Sequence, residues 1–350
     1  MSTVASDMRA PSARQGSGIG AGVLVALGAA FSFGMSGPWA RGLIDAGWSP
    51  GAAVTARIWT AALVLLVPTL IALRGRWRVV RRGAGMIAAY GLLAVAGAQL
   101  FYFQAVAVMD VGIALLVEYT APIAVIGWLW ARRGERPSKR SMLGAVIAFA
   151  GLVLMLDILT GATVSGVGIL WALGAMVGAA TYFVLSGRGD TGLPPIALAG
   201  LGLLVGAAGL TIAGAVGILP MAWSTHDVAY RFGTVPWFVP VLAIGLLATA
   251  LAYVLGITST RMLGSRLSSF VALAEVGAAL LFGWIMLGQL PDPLQAVGGV
   301  LVLAGVIVVK LGEPAAAAFV EPVPEHPIDT EPPIDTEPPI DTEPTASHTG

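Results

Sequence analysis

Three ionisable side chains sit where a purely structural chain would carry apolar ones. Glu118 lies in ALLVEYTAP, Glu275 in VALAEVGA and Arg57 in AVTARIWTAALV. A charge at mid-bilayer costs ~2.5–3.5 kcal/mol on insertion scales, and it is tolerated where it faces a cavity or a partner. Buried carboxylates of this kind can bind an ammonium group or carry a coupling proton. An arginine can hold a substrate carboxylate or pair with a glutamate as a gate. The structural alternatives are local hydrogen bonds between helices for the two glutamates, and snorkelling of Arg57 to the nearer membrane surface.

Polar and aromatic residues accompany these charges. Gln99 and Tyr102 share one face of a run that also holds Gln104, and Tyr119, Trp171, Tyr182 and Tyr253 place amphipathic rings in other apolar runs. Small-molecule pockets are mostly apolar and aromatic with a few placed polar groups, which these residues can supply. Helix packing is the plainer reading for any single ring. Pro122 removes a backbone donor and is expected to kink its helix. Trp130 and Trp284 lie near the ends of apolar runs and read as interfacial anchors. His226, His326 and His348 are scattered, without Cys or clustered acids, so no metal site is expected. No Walker A sequence offers a nucleotide site, and neither a cofactor, a nucleic-acid partner nor an enzymatic activity is expected.

The elements that must position these residues are membrane spans. Hydrophobic residues make up 57% of the chain and charged residues 11%, with a mean hydropathy of +0.86; a soluble domain is roughly a quarter charged. Ten apolar runs long enough to cross a ~30 Å core are predicted at 19–39, 52–73, 84–105, 112–131, 141–158, 166–186, 195–218, 236–257, 267–287 and 293–311. The expected fold is therefore an all-α membrane protein. The connections RGRWRVVRR (74–82) and RRGERPSKR (132–140) place one surface inside, because Lys and Arg collect in short cytoplasmic loops. The N-terminus, Arg188, Arg261, Arg266 and Lys310 then also fall inside; Arg41 and Arg231 fall outside, and Arg57 lies within the second span. The expectation is a multi-pass protein of the cytoplasmic membrane with both termini in the cytoplasm. Residues 1–18 read as a cytoplasmic lead-in. Residues 313–350, with IDTEPP repeats, nine acidic residues and no Lys or Arg, read as a disordered tail.

The chain is also duplicated. Gly91–Met155, shifted by 154 positions without a gap, matches Gly245–Val309 at fifteen of 65 positions. GLLAVA matches GLLATA, and Trp130-x3-Gly134-Glu135-x-Pro137 matches Trp284-x3-Gly288-Gln289-x-Pro291. LVALGA at 24–29 and LWALGA at 170–175 extend the repeat back to the first span of each half. The two repeats thus occupy 19–158 and 166–312 with five spans each. An odd number of spans turns the second copy upside down, and the five basic residues of 132–140 have no counterpart in 286–294. Such inverted repeats are the architecture of alternating-access carriers. Under the same shift Glu275 pairs with Ala121, one turn from Glu118 on the same helix face.

Two five-span halves, each with a W-x3-G-[E/Q]-x-P motif, resemble the EamA-type branch of the drug/metabolite transporter superfamily. LAEVGAALLFGWIMLGQ is similar to the family's leucine–glutamate–proline segment, with Val276 and Gln289 departing from it, whereas Pro122 and Glu135 keep the family residues. The resemblance implies a ten-span secondary transporter that moves small polar metabolites, such as amino acids or related compounds, outward. It also implies a central cavity lined by spans 1, 3, 4, 6, 8 and 9. The expected partners are a small-molecule substrate, membrane lipid and, where transport is coupled, protons; the chain is a monomer or a homodimer. The competing readings are a multidrug exporter of lipophilic cations and a nontransporting membrane sensor or enzyme.

Overall fold

Backbone N–H and C=O groups without water must be satisfied within the chain, which leaves helices as the solution for long apolar runs. In a computed structural model, residues 12–109, 111–156, 165–189, 192–290 and 292–312 are described. They form α1 (Ser12–Gly34), α2 (Ser36–Asp45), α3 (Pro50–Ala72), α4 (Trp77–Ala89), α5 (Ala98–Val106), α6 (Val111–Glu118) and α7 (Ala121–Arg133). The second half carries α8 (Lys139–Met155), α9 (Gly166–Ser186), α10 (Pro195–Ala215), α11 (Phe238–Gly245), α12 (Ala252–Val271), α13 (Ala274–Leu287) and α14 (Pro293–Gly312). π-helical stretches at Tyr90–Gly97 and Leu246–Leu251 join α4 to α5 and α11 to α12. Eight helical stretches among the described residues are long and apolar enough to cross a bilayer. The shorter α8 and α13 complete ten helical passes. The protein is an all-α membrane protein. The expectations for residues 1–11, for 157–158, for Pro291 and for the tail with His326 and His348 lie outside the described residues.

Several boundaries differ from the predicted ones. The first pass continues through α2 to Asp45, where Arg41 pairs with Asp45 at 2.9 Å. The Arg-rich connection 74–82 is mostly helix, because α4 begins at Trp77 and carries Arg78, Arg81 and Arg82 on its first two turns. Helix α12 is one run only in name. Gly264 takes φ +79°, and the Thr260 and Ser268 hydroxyls meet at 2.8 Å. Eight residues of straight helix would separate them by ~12 Å, so the chain doubles back at Gly264. The eighth pass ends there and the ninth begins.

The two repeats are related by the contacts they make. Glycines 144 and 151 of α8 pack on glycines 305 and 298 of α14, backbone against backbone: a Cβ on Gly151 would lie 2.6 Å from the Gly298 carbonyl, and one on Gly298 would lie 2.6 Å from that of Gly151. The 154-residue shift turns each contact into the other. Early α8 meets late α14, so the equivalent helices are antiparallel and the twofold axis runs perpendicular to them. The repeats are inverted. Small residues permit this closeness where no hydrophobic force drives helices together. Gly28 against Leu255 and Gly174 against Phe101 form a second exchanged pair, which packs the first pass of each half on the third pass of the other.

The repeated W-x3-G motif is a helix stop. Gly134 and Gly288 adopt φ +68° and +73°, and each donates its N–H to the carbonyl of its tryptophan at 3.0 Å, closing α7 and α13 with a left-handed residue. Trp130 and Trp284 stand exposed at those ends. At the Trp284 end a hairpin of β1 (Val228–Tyr230) and β2 (Gly233–Val235) ties α2 to α13: the Tyr230 hydroxyl donates to the Trp39 carbonyl at 2.8 Å, and the Arg231 N–H donates to the Met286 carbonyl at 2.8 Å. Burial, with Asp45 nearby, pushes the Tyr230 phenol above its ordinary range.

Candidate functional site

The fourth pass of each half is broken at the same place. In the first half α6 ends on Glu118, Tyr119 and Thr120 form a turn, and α7 starts at Ala121 with Pro122 in its first turn. In the second half Ala272 and Leu273 form the turn, and α13 starts at Ala274 with Glu275 in its first turn. Under the 154-residue shift the two turns fall within one residue of each other. Short i→i+3 bonds carry the chain through both: Thr120 N–H to the Val117 carbonyl at 3.1 Å, and Glu275 N–H to the Ala272 carbonyl at 2.9 Å. Both carboxylates therefore stand at a helix break, where irregular backbone is tolerated because it lines a cavity.

That cavity measures about 180 Å³. Glu118, Glu275, Arg57, Gln99, Tyr119, Tyr182, Tyr253 and Pro122 all line it. Its walls come from passes 1, 3, 4, 6, 8 and 9, with Arg57 reaching in from the second. Arg57 does not snorkel: its Nη1 donates to the Ser36 hydroxyl, and its Nε is buried without a partner. Neither glutamate forms a direct ion pair with Arg57, which faces them within the same enclosure. The aromatic wall is a cluster in edge-to-face contact, with Tyr253 5.6 Å from Tyr182 and 5.3 Å from Phe33, ring centre to ring centre. Gly256 has no side chain where the Tyr182 hydroxyl approaches it. The result is a small, half-open site with two acids and one cation set among rings.

Two expected residues lie elsewhere. Trp171 stacks on Phe101 at 5.7 Å and is 37% exposed at the periphery of α9. Tyr102 packs against the buried cluster of Ala105, Met109, Ile113, Ala114 and Ala172, off the cavity wall. Four serines on the wall were missed from the sequence: Ser36, which holds Arg57, Ser259, and Ser268 and Ser269 beyond the Gly264 turn. The polar run SRLSS was the available signal, hidden by its place at the start of an apolar span. Arg261, expected in a surface connection, is instead part of α12, with its Nε and Nη2 buried. His226 is exposed and bonded to Ser224 at 2.8 Å, and no cluster of possible metal ligands occurs among the described residues.

The π-helical stretches fall on GLLAVA and GLLATA, the best-matched hexads of the repeat. Each inserts an extra residue per turn just before the cavity wall, and such bulges recur at functional sites. In the second half the Thr249 hydroxyl donates to the Ile244 carbonyl five residues back, at 2.7 Å, which satisfies an acceptor that the wider turn loosens.

The model of the EamA-like transporter family matches residues 20–157 and again 166–311. The chain belongs to that family. Among curated relatives of this EamA-like transporter, an uncharacterized transporter of Archaeoglobus fulgidus is 28% identical over 224 residues, 63% of this chain and 74% of that protein. The uncharacterized transporter YwfM of Bacillus subtilis is 26% identical over 213 residues, 61% of this chain and 69% of its own. A solved crystal structure shares the fold, with a TM-score of 0.62 and 20% identity over 83% of this chain and 97% of that one. The protein is thus a multi-pass membrane transporter by family.

Proposed function

We propose that this EamA-like protein carries small zwitterionic metabolites, amino acids or close relatives, outward across the cytoplasmic membrane by alternating access. The observation that carries the reading is the placing of Glu118, Glu275 and Arg57 around one cavity of about 180 Å³. An ammonium group complements the glutamates and a carboxylate complements Arg57, so a zwitterion satisfies all three charges. In a low-dielectric enclosure such pairs interact far more strongly than in water. The small volume favours a metabolite over a drug-sized cation, since drug pockets span roughly 300–1,000 Å³, and Arg57 repels a cation. Rocking of the inverted halves about the α8–α14 seam exposes the site to either side. Both termini lie in the cytoplasm on this reading.

The test is counterflow in proteoliposomes with labelled amino acids, a sugar and a lipophilic cation, each with and without a pH gradient. Amino-acid exchange that is lost in Glu275→Gln supports the proposal, and gradient sensitivity adds proton coupling. Movement of the cation alone replaces it with the multidrug reading.

A further inference from the structure

The cavity has two polar ends. By the order of the passes, Ser36 and Arg57 lie toward the surface where α3 begins. Ser259, Ser268 and Ser269 lie toward the opposite surface, on either side of the Gly264 turn, and all three are buried.

The hydroxyl hydrogens at this second end are all committed. A serine or threonine hydroxyl has one hydrogen to donate and two lone pairs that accept. Ser259 and Thr260 both donate to the Gly256 carbonyl, at 2.9 and 2.7 Å. Ser269 donates to the Arg266 carbonyl at 2.7 Å. Thr260 has no second hydrogen, so in its 2.8 Å contact with Ser268 it is Ser268 that donates. The wall serines therefore meet the cavity as acceptors alone. Arg266, the cation beside them in the chain, turns its Nη2 to Glu135 at 3.4 Å.

An acceptor-only wall matches a guest that only donates. Ammonium and guanidinium groups have donors and no acceptor. A carboxamide brings a carbonyl that finds no donor there, and a carboxylate brings acceptors alone. The charges point the same way. With both carboxylates ionised, Glu118 and Glu275 against Arg57 leave one negative charge for the guest to balance, which a zwitterion does not do. Ser268 and Glu275 lie seven residues apart on the ninth pass, about 10 Å of helical rise. That span suits the four-carbon stem of lysine.

We propose that Ser259, Ser268 and Ser269 form the side-chain end of the substrate site and select amino acids with a cationic side chain, of the lysine and arginine type. The proposal rests on the amino-acid reading above: Arg57 takes the carboxylate, the glutamates take the α-ammonium, and the serine oxygens receive the second cationic group.

The test is counterflow in proteoliposomes holding the full chain, at equal pH on both sides, with labelled lysine, norleucine, cadaverine and glutamine. Norleucine is lysine without the side-chain ammonium, cadaverine is lysine without the carboxylate, and glutamine offers the amide. Lysine is expected to half-saturate at a concentration about tenfold lower than norleucine, the scale of a hydrogen bond to a charged group. Glutamine should fall between them. The Ser259→Ala/Ser268→Ala double variant should narrow the gap between lysine and norleucine by about threefold or more. Norleucine equal to lysine, glutamine ahead of lysine, or an unchanged gap in the double variant each overturns the serine end and leaves the amino-acid reading in place. Cadaverine moving as well as lysine removes the pairing of Arg57 with a carboxylate and keeps the serine end. Should counterflow be silent or the double variant fail to fold, the melting temperature of the wild type decides, because a ligand of the folded state raises it. A rise with lysine and none with norleucine supports the site; equal behaviour of the two overturns it.

Discussion

The α8–α14 seam and the broken fourth passes are built from the same duplicated sequence, yet only the seam is symmetric in detail. At the seam, Gly144, Gly151, Gly298 and Gly305 are exchanged in pairs by the repeat. At the breaks the backbone turns fall within one residue of each other while the carboxylates are three residues apart: Glu118 is the last residue of α6, and Glu275 lies in the first turn of α13. Shared backbone with displaced carboxylates separates two jobs. On the proposed function, the seam would keep the halves together through the movement, and the breaks would give each half a different hold on the cargo.

Closing the seam is expected to have the largest effect. Leu at Gly151 or at Gly298 must displace backbone atoms of the facing helix, since even a Cβ falls 2.6 Å from a carbonyl oxygen there. Overpacking typically costs about 1–3 kcal/mol when side chains can yield, and backbone yields less. Both variants should lose the monodisperse folded protein in size-exclusion chromatography, and to the same extent. A large difference between them would break the symmetry.

Next come the two carboxylates. Glu118 stands at the carbonyl end of α6 and Glu275 at the N–H end of α13, and helix dipoles favour cations at the former and anions at the latter. The α6 end therefore adds to the pull of Glu118 on an ammonium, while α13 offsets part of that of Glu275. Glu118→Gln should raise the half-saturating concentration in counterflow by about tenfold or more, equivalent to ~1.4 kcal/mol. Glu275→Gln should act more on the maximal rate. Identical kinetic defects would mean that displacement by one turn makes no difference.

A smaller effect is expected at Pro122. The second half makes its break with Val276 at the equivalent position, so proline is not what forces the turn. Pro122→Ala should leave both helices and the counterflow rate within about twofold of wild type, the low end for a residue whose N–H would be an unsatisfied first-turn donor in any case. A collapse of transport would show instead that the first half depends on its proline.

The sequence made the passes, the duplication and most of the cavity legible, because each rests on a repeated or periodic pattern. Glu118, Glu275 and Arg57 stood out by contrast with apolar neighbours, and the cavity collects all three. What stayed hidden depends on backbone geometry. A connection was expected across 258–266, but its narrowing to one turn at Gly264 needs that residue's positive φ, which residue type does not show. The half-burial of Arg261 in α12 was equally hidden, as was the arrival of Ser268 and Ser269 at the wall. The π-helical stretches were visible as a matched hexad, but their hydrogen-bond register leaves no mark on residue type.

Trp171 shows the same limit in depth along a helix, and it sets the smallest prediction. It and Tyr182 are eleven residues apart on α9, three turns with only ~20° of rotation, so both project from nearly one face. A rise of 1.5 Å per residue nevertheless separates them by about 16 Å. Tyr182 is 9% exposed among the rings of the cavity, whereas Trp171 is 37% exposed against Phe101. Trp171→Phe keeps an aromatic partner for Phe101 and touches nothing on the cavity wall. Counterflow should therefore be unchanged, with a melting temperature lowered by no more than a few degrees, since one stacked ring pair is worth ~0.5–1.5 kcal/mol. Tyr182→Phe, which removes a cavity hydroxyl from the same face of the same helix, should change the kinetics. Equal behaviour of the two variants would show that face, not depth, decides which rings of α9 meet the substrate.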